Sequence, residues 1–559
     1  GTNVFTAISA RRAITGALTC ALALAVCLPG APADAVTTSP STTTNAGLFG
    51  SGDPTYTGVY RQSLAILALT ASGTTVPTES VNWLLGQQCS DGGFQGYTTS
   101  PASCTAPDST HYSGEDSNTT GMALQALAAL GEQSAAQRAA DWLVAHQNAD
   151  HGFAYYPDQA TNSTPPDSDA NSTAIALMGL NAFNAYAGTI PVPGYSTAAS
   201  DASAFLATLQ LVPCPVFPAE WPANTTDGSF LYTATGSSSN NYATVQASFA
   251  LSGHLLTDGP LAAGTVNEIP VTCTGGTPDA YDPGKISAGY INVWVGTPLT
   301  TPTFGSGLND EPAWATLAMS ASELALPQVG DSPSIALALA AADAAVPGSS
   351  TDPGDLAIDI LAHHIQPGGA TDTAIPGLVS RLLATLAPVS SIAPKVAGTV
   401  KVGQTVSCNP GVWTKGPATF SYQWITGSST VVAPTYSLKL TPAQVGQKIH
   451  CAVKATNAFG TTVQPSAQVT IARGTMTNLV LPTIVGSVRA GGYVAATSGT
   501  WSPMAMTAKI VWKRGTTVVG TGFAYHVKDA DRGKKLTVVV TVTSPGYAGT
   551  ATSKPRTVR

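Results

Sequence analysis

Charge is scarce in this chain: 24 lysines and arginines and 31 aspartates and glutamates are spread over 559 residues, for a formal net charge of -7. No basic stripe is available to neutralise phosphates, so nucleic acid is disfavoured as a partner. Cysteine never occurs as a Cys-x-x-Cys pair, the spacing of most structural zinc sites, and neither a metal nor a cofactor is expected. A Gly-x-Ser-x-Gly elbow for acyl transfer is missing as well. The apolar run from Ile14 to Leu28 is too short for a membrane span, so no integral membrane segment is expected.

That run follows Arg11-Arg12 and precedes Ala33-Asp34-Ala35, the order of charge, apolar core and small residues found in a secretory signal. Residues 1–35 are therefore expected to be a signal peptide and 36–45 a flexible Ser/Thr-rich tract. Cys20 and Cys27 leave with the signal, and the six remaining cysteines form an even set suited to an oxidising compartment. Sequence order pairs Cys89 with Cys104, Cys214 with Cys273, and Cys408 with Cys451. No sorting motif or apolar span precedes Arg559, so release or non-covalent wall association is expected rather than anchoring.

What the chain does have is an internal repeat. Trp83 to Phe94 (WLLGQQCSDGGF) is echoed about 59 residues later by Trp142 to Phe153 (WLVAHQNADHGF). A third, interrupted copy starts at Phe205 and reaches its turn at Asp227-Gly228-Ser229-Phe230. After each copy comes a phrase of side-chain oxygens suited to helix capping: Asp116-Ser117-Asn118-Thr119-Thr120, Asp169-Ala170-Asn171-Ser172-Thr173 and Ser239-Asn240-Asn241-Tyr242-Ala243-Thr244. Alanine- and leucine-rich stretches follow and end near Gly131, Asn181 and Gly253. The unit is thus a helical hairpin, with one helix ending at the glycine turn and the next starting at the cap.

The pattern resembles the prenyltransferase and squalene-oxidase repeat, whose Q-x-x-D-G-x-aromatic turn joins an outer helix to an inner one in the toroid superfamily of terpenoid cyclases and protein prenyltransferases. The resemblance implies an all-α (α/α)6 toroid over residues 46–388, with helix pairs near 58–88, 118–147, 171–210, 241–295, 309–346 and 353–387. Near Pro388 the helical pattern stops, and period-2 patterning with frequent glycine turns takes over. The order Cys408, Trp413, Trp424, Cys451 is that of an immunoglobulin-like sandwich. Trp501, Trp512, Ala496 and Val538 repeat it without the bridge. Both segments resemble bacterial Ig-like repeats, so the fold class is multidomain, with all-β immunoglobulin-like sandwiches at 389–473 and 474–559 after the toroid.

The catalytic boxes of the resembled families are missing. Asp167-Ser168-Asp169-Ala170 lacks the last acid of an Asp-x-Asp-Asp box, and Asp169 reads as a helix cap. No Asp-x-Cys with a partner histidine occurs in the toroid, and no Cys-Gly-Glu-Gln thioester. His363-His364 reads as a helix-surface pair, and Phe94, Phe153 and Phe230 read as packing beneath their own turns.

In a toroid the links into the inner helices share one rim, toward which the helices aim their positive ends. Those links carry Tyr97, His111, Tyr112, Tyr155, Tyr156, Trp221, Tyr232, Tyr242 and Trp314, expected to hold a polar ring-bearing ligand such as a glycan or corrinoid. The leading reading is a secreted, non-catalytic binding or adhesion protein at the cell surface, with the Ig-like modules as spacers that contact cell wall or protein. The alternative is a secreted glycan-active or terpenoid-cyclase-like enzyme using Glu115, Asp116, Asp167, Asp169, Asp310 or Glu311. Glycan cleavage needs two open carboxyls about 5 to 9.5 Å apart.

Overall fold

The computed structural model describes residues 41–42, 45–50, 54–96, 104–157, 166–187, 193–211, 228–263, 272–274, 277–280, 282, 291, 310–322, 328–329, 332–427 and 429–559. The expected signal peptide, Tyr97, Trp221 and the Cys214–Cys273 pairing lie outside them.

Among the described residues the N-terminal part is helical and the part from Val389 onward is all-β, built of many mostly antiparallel strands. The eleven helices are α1 (Pro54–Ala71), α2 (Thr78–Gly86), α3 (Ser117–Leu130), α4 (Gln133–Ala145), α5 (Ala170–Ala187), α6 (Pro193–Leu209), α7 (Asn241–Ser252), α8 (Glu311–Ala321), α9 (Ser334–Ala345), α10 (Pro353–Ile365) and α11 (Ile375–Ala384). A kink at Gly58, whose φ is 50°, divides α1, so Tyr60 and Arg61 stand in the first turn after it. None of the described helices is long and apolar enough to cross a membrane.

Composition decides which helices are interior. In α3, α5, α8 and α10 nearly every residue is buried, which fits their alanine- and leucine-rich sequences, apolar on almost all faces. In α4 the buried set is a stripe: Ala135, Ala136, Ala139, Ala140, Trp142 and Leu143. The buried helices pack in series, α1 on α3, α3 on α5, α5 on α7, α7 on α8, α8 on α10 and α10 back on α1. Helices α2, α4, α6, α9 and α11 lie against α1, α3, α5, α8 and α10 respectively. Helices α3 and α5 approach so closely that a Cβ on Gly121 would stand 2.8 Å from the Ile175 carbonyl oxygen, and one on Gly179 would stand 2.7 Å from that of Gly121.

The repeated turn has one geometry in three places. Its left-handed residue is Gly92 (φ 108°), His151 (φ 72°) or Gly228 (φ 91°). The aromatic that follows is fully buried, and its N–H donates to a threonine of the next helix: Phe94 to Thr120 Oγ1 (3.0 Å), Phe153 to Thr173 Oγ1 (2.9 Å) and Phe230 to Thr244 Oγ1 (2.9 Å). Gln88, Gln147 and Gln210 close the turns from beneath through the carbonyls of Gly92, His151 and Gly228.

The β-part has two cores. Around Cys408–Cys451 the first buries Trp413 and Trp424, with Trp424 directly opposite Cys451 across the strands 419–426 and 448–457. The second sets Trp512 opposite Val538 in the same way and buries Ala496 and Trp501. Lys415 ties the first core to the helices by donating to the carbonyls of Gly50 and Thr385, and burial pulls its pKa down to about 7. Ser41–Thr42 forms a two-residue strand paired in parallel with Val412 and Trp413.

Because each threonine Oγ1 satisfies a buried N–H, Thr120→Val, Thr173→Val and Thr244→Val should each cost about 1–3 kcal/mol, read by chemical denaturation. The corresponding serine variants should recover most of that loss.

Candidate ligand-binding rim

Free N–H groups at a helix start need acceptors. Asp116 caps α3, its carboxylate accepting from Thr119 N and Thr119 Oγ1, both at 2.7 Å. Asp169 caps α5 through Ser172 N (2.8 Å) and Oγ (2.7 Å). Asn240 caps α7 through Ala243 N, and Asp352 caps α10 through Gly354 N and Asp355 N.

The helix starts are also linked to one another. Ser117 N donates to Tyr155 O (2.9 Å), which follows the turn at the end of α4, and Ala170 N donates to Tyr232 O (2.8 Å), ahead of α7. Tyr242 Oη, in the first turn of α7, donates to Asp310 Oδ2 (3.0 Å) at the start of α8. Arg61 of α1 pairs with Asp352 of α10 at 3.3 Å.

Five acids of this region, Glu115, Asp116, Asp169, Asp310 and Glu311, are held above their usual range. Burial pushes Asp116 up to about 7 and Asp169 to about 6, in both cases against the pull of the cap hydrogen bonds. Glu115 rises to about 8 through burial and the neighbouring Asp91 carboxylate. Asp310 rises to about 6 through burial, although its Oδ2 accepts from Tyr242 Oη and from Trp314 Nε1 (3.0 Å). Glu311 reaches about 7 through burial and the Asp310 charge, and neither of its buried oxygens has a hydrogen-bond partner among the described residues. Tyr60 and Tyr242 titrate well above the usual tyrosine value, through burial first and Asp310 second.

The most exposed aromatic of this region is Tyr112, at 76 % exposure. It sits at φ 52°, a conformation costly for a residue with a bulky side chain. Its loop is fastened on every side. The Cys89–Cys104 disulfide anchors the loop's start, and Gln95 Oε1 accepts from Thr105 N and Oγ1. Asp108 accepts from Thr110 N and His111 N and meets His111 Nδ1 at 2.7 Å. Gly114 packs where a Cβ would stand 2.1 Å from the Ala106 carbonyl oxygen. The Tyr112 ring meets Tyr156 edge-on at 6.4 Å between centroids, and Tyr155 lies 4.7 Å from Tyr156.

The expected rim residues thus separate. Tyr112, Tyr155 and Tyr156 come together, and Tyr232 is exposed at its own link. His111 is exposed but engaged with Asp108. Trp314 is a correction: it is 0 % exposed and packs against Phe249 in the interior, because it stands one helical turn inside α8. Among the expected acids, Asp116 and Asp169 are caps, Asp167 stands exposed, and Asp310 and Glu311 adjoin each other. His363 is a second correction, a buried residue rather than half of a surface pair. Tyr60, Arg61 and Asp91 join this region without a local signal in the sequence, whereas Asp352 belongs to Thr351-Asp352-Pro353-Gly354, which reads as a helix start. At the other end of the helices, a cavity of about 230 Å³ is lined by Leu67, Gln125, Ala128, Ala182, Tyr186 and Leu256.

No family model and no curated protein matches the chain. Among solved structures it is similar to ent-copalyl diphosphate synthase from Streptomyces platensis, with 17% identity, TM-score 0.33, and coverage of 54% of this chain and 49% of that one. The chain therefore spans about half the length of that structure. It is also similar to the ICAM-5 D1–D4 ectodomain fragment (15% identity, TM-score 0.22, 30% and 53% covered) and to a two-domain fibronectin type-III segment of chicken tenascin (12% identity, TM-score 0.19, 30% and 96% covered). Each is a weak, partial likeness.

The raised acids make a signed prediction. Between the unfolded values near 4 and the folded values of about 6 to 8, the native state binds more protons than the unfolded chain, so stability falls as pH rises. Lys415 acts in the opposite direction, but mainly between about 7 and 10.5. Calorimetry should find the helical part melting at a higher temperature near pH 5 than near pH 7, at roughly constant ionic strength.

Proposed function

We propose that this is a secreted, non-catalytic binding protein whose helical part is an (α/α)6 toroid and whose rim tyrosines hold a glycan or another small polar ring-bearing ligand. In this reading residues 1–35 are removed as a signal peptide, the toroid spans 46–388, and two immunoglobulin-like modules, 389–473 and 474–559, act as spacers near the cell surface. Support for the toroid is the return of α10 onto α1 in the helix series. Support for export is the pair of disulfides, Cys89–Cys104 and Cys408–Cys451.

The observation that carries the binding reading is Tyr112: a large exposed ring at positive φ, on a loop fastened by a disulfide and side-chain hydrogen bonds, beside Tyr155 and Tyr156. Holding an aromatic outward against both hydration and backbone preference is reasonable when its face stacks on a ligand. The acids argue in the same direction, since Asp116 and Asp169 are occupied as caps rather than facing each other across an open groove. The enzymatic alternative draws on Glu311, whose buried carboxyl, without a hydrogen-bond partner among the described residues and with a pKa of about 7, has the character of a general acid.

Glycan arrays probed with the chain from residue 36 onward should yield a ligand class whose affinity falls by about tenfold or more in Tyr112→Asn, equivalent to about 1.4 kcal/mol. Asparagine tolerates positive φ, so that variant should melt no lower than the parent. Equal binding by both proteins, or turnover of a bound glycan that Glu311→Gln abolishes, would replace this reading with another site or with catalysis.

A further inference from the structure

At the end of α10 remote from its cap, charged side chains from four segments converge. His363, in the last turn of α10, is 4 % exposed. Its Nδ1 lies 2.7 Å from Asp372 Oδ2, and its Nε2 lies 2.8 Å from Asp343 Oδ1 on α9. Asp359, one turn earlier on α10, places Oδ1 3.9 Å from the same Nε2. The donor atoms of Asp343, Asp359 and His363 all fall within 4.8 Å of one another. Arg381 of α11 faces Asp359 but is engaged with the carbonyls of Pro347 (2.6 Å) and Ser350 (3.1 Å). Gln366 Nε2 reaches Asp372 Oδ2 at 3.3 Å.

Asp359 is the informative member. It is 1 % exposed, and its Oδ1 has no hydrogen-bond partner among the described residues. A carboxylate oxygen stripped of water and left unmatched is costly, and here it is aimed at an imidazole nitrogen and a second carboxylate. Three carboxylates surround the spot against one guanidinium that is turned to backbone carbonyls.

We propose that Asp343 Oδ1, Asp359 Oδ1 and His363 Nε2 bind a divalent transition-metal cation, with Asp372 orienting the imidazole from its other nitrogen. Asp372 at Nδ1 favours the tautomer that leaves the Nε2 lone pair facing the two carboxylates, the arrangement in which a carboxylate fixes a metal-binding histidine. Metal–donor distances of about 2.0–2.2 Å place neighbouring donors about 3–3.5 Å apart, and the separations of 2.8 and 3.9 Å bracket that range. The Asp343 carboxylate is 52 % exposed, which gives the ion a route in and leaves water to complete its coordination. One imidazole and two carboxylates, without thiolate, suit Zn2+ or Mn2+ better than Cu(I). Bound there, the ion fastens α9, α10 and the segment carrying Asp372 to one another, in a place separate from the rim. Asp359 and His363 stand one turn apart on α10, and only the packing of α9 against it brings in Asp343.

The test uses the untagged full chain, stripped with a chelator and dialysed, then titrated calorimetrically with Zn2+. The expected result is one equivalent bound, with a rise in melting temperature. Affinity should drop about tenfold or more in His363→Gln, Asp359→Asn and Asp343→Asn, and about 10–100-fold in Asp372→Asn. Co2+ loading should give a visible absorption band that His363→Gln removes. Asp343→Asn changes a half-exposed group, so it keeps the test valid should a buried variant fail to fold. Absence of stoichiometric binding in the parent, or binding by the Asp343→Asn and His363→Gln proteins as tight as the parent's, overturns the proposal and leaves His363 as an imidazolium clamped by carboxylates.

Discussion

The first turn of a helix carries N–H groups that no residue of that helix accepts from, and in a body of nearly fully buried helices water cannot take them all. Asp116, Asp169, Asn240 and Asp352 supply that acceptor at four helix starts, and the rest of the helical architecture depends on it. The links that bring these residues into position also bring each helix start to its neighbour, through Tyr155, Tyr232, the Tyr242–Asp310 contact and the Arg61–Asp352 pair. Asp352 does both, capping α10 and pairing with Arg61, and elsewhere capping and cross-linking fall to neighbouring residues of the same links.

That constraint limits the chemistry open to the rim. An aspartate whose two oxygens both accept from the helix it caps has little capacity left to activate water or bind a cation. The acids in other roles differ from the caps in kind. Glu311 is buried beside Asp310 without a hydrogen-bond partner among the described residues, and Glu115 shares its surroundings with Asp91. Tyr112 is the most exposed ring of this region, and its loop shows strain held in place by a disulfide and a network of Asp108 and Gln95 contacts.

Much of the helical layout was legible because the repeat writes its own boundaries: glycine at the left-handed turn, glutamine beneath it, threonine above the aromatic. His151 replaces glycine at that turn and still adopts positive φ, so the repeat's register, more than residue type, carried the reading there. Trp424 and Trp512 were legible as core residues from the period-2 patterning, and both are buried. Which aromatics of the links stand outward was not legible in the sequence. Nothing local distinguishes Trp314, which turns inward to Phe249, from Tyr112, which a positive φ turns outward. Contacts between distant segments, such as Asp91 with Glu115, Arg61 with Asp352 and Asp343 with His363, leave no trace at fixed spacing and appear only once the helices are packed.

The most direct test of this account is amide hydrogen exchange at the capped first turns, reading Thr119, Ser172, Ala243 and Asp355 together. If linked caps hold the helices as one body, these four amides exchange with a common free energy close to that of global unfolding of the helical part. If Asp355 and its neighbours on α10 exchange far more readily than Thr119 on α3, the series opens between α10 and α1, and the rim is not a single structure.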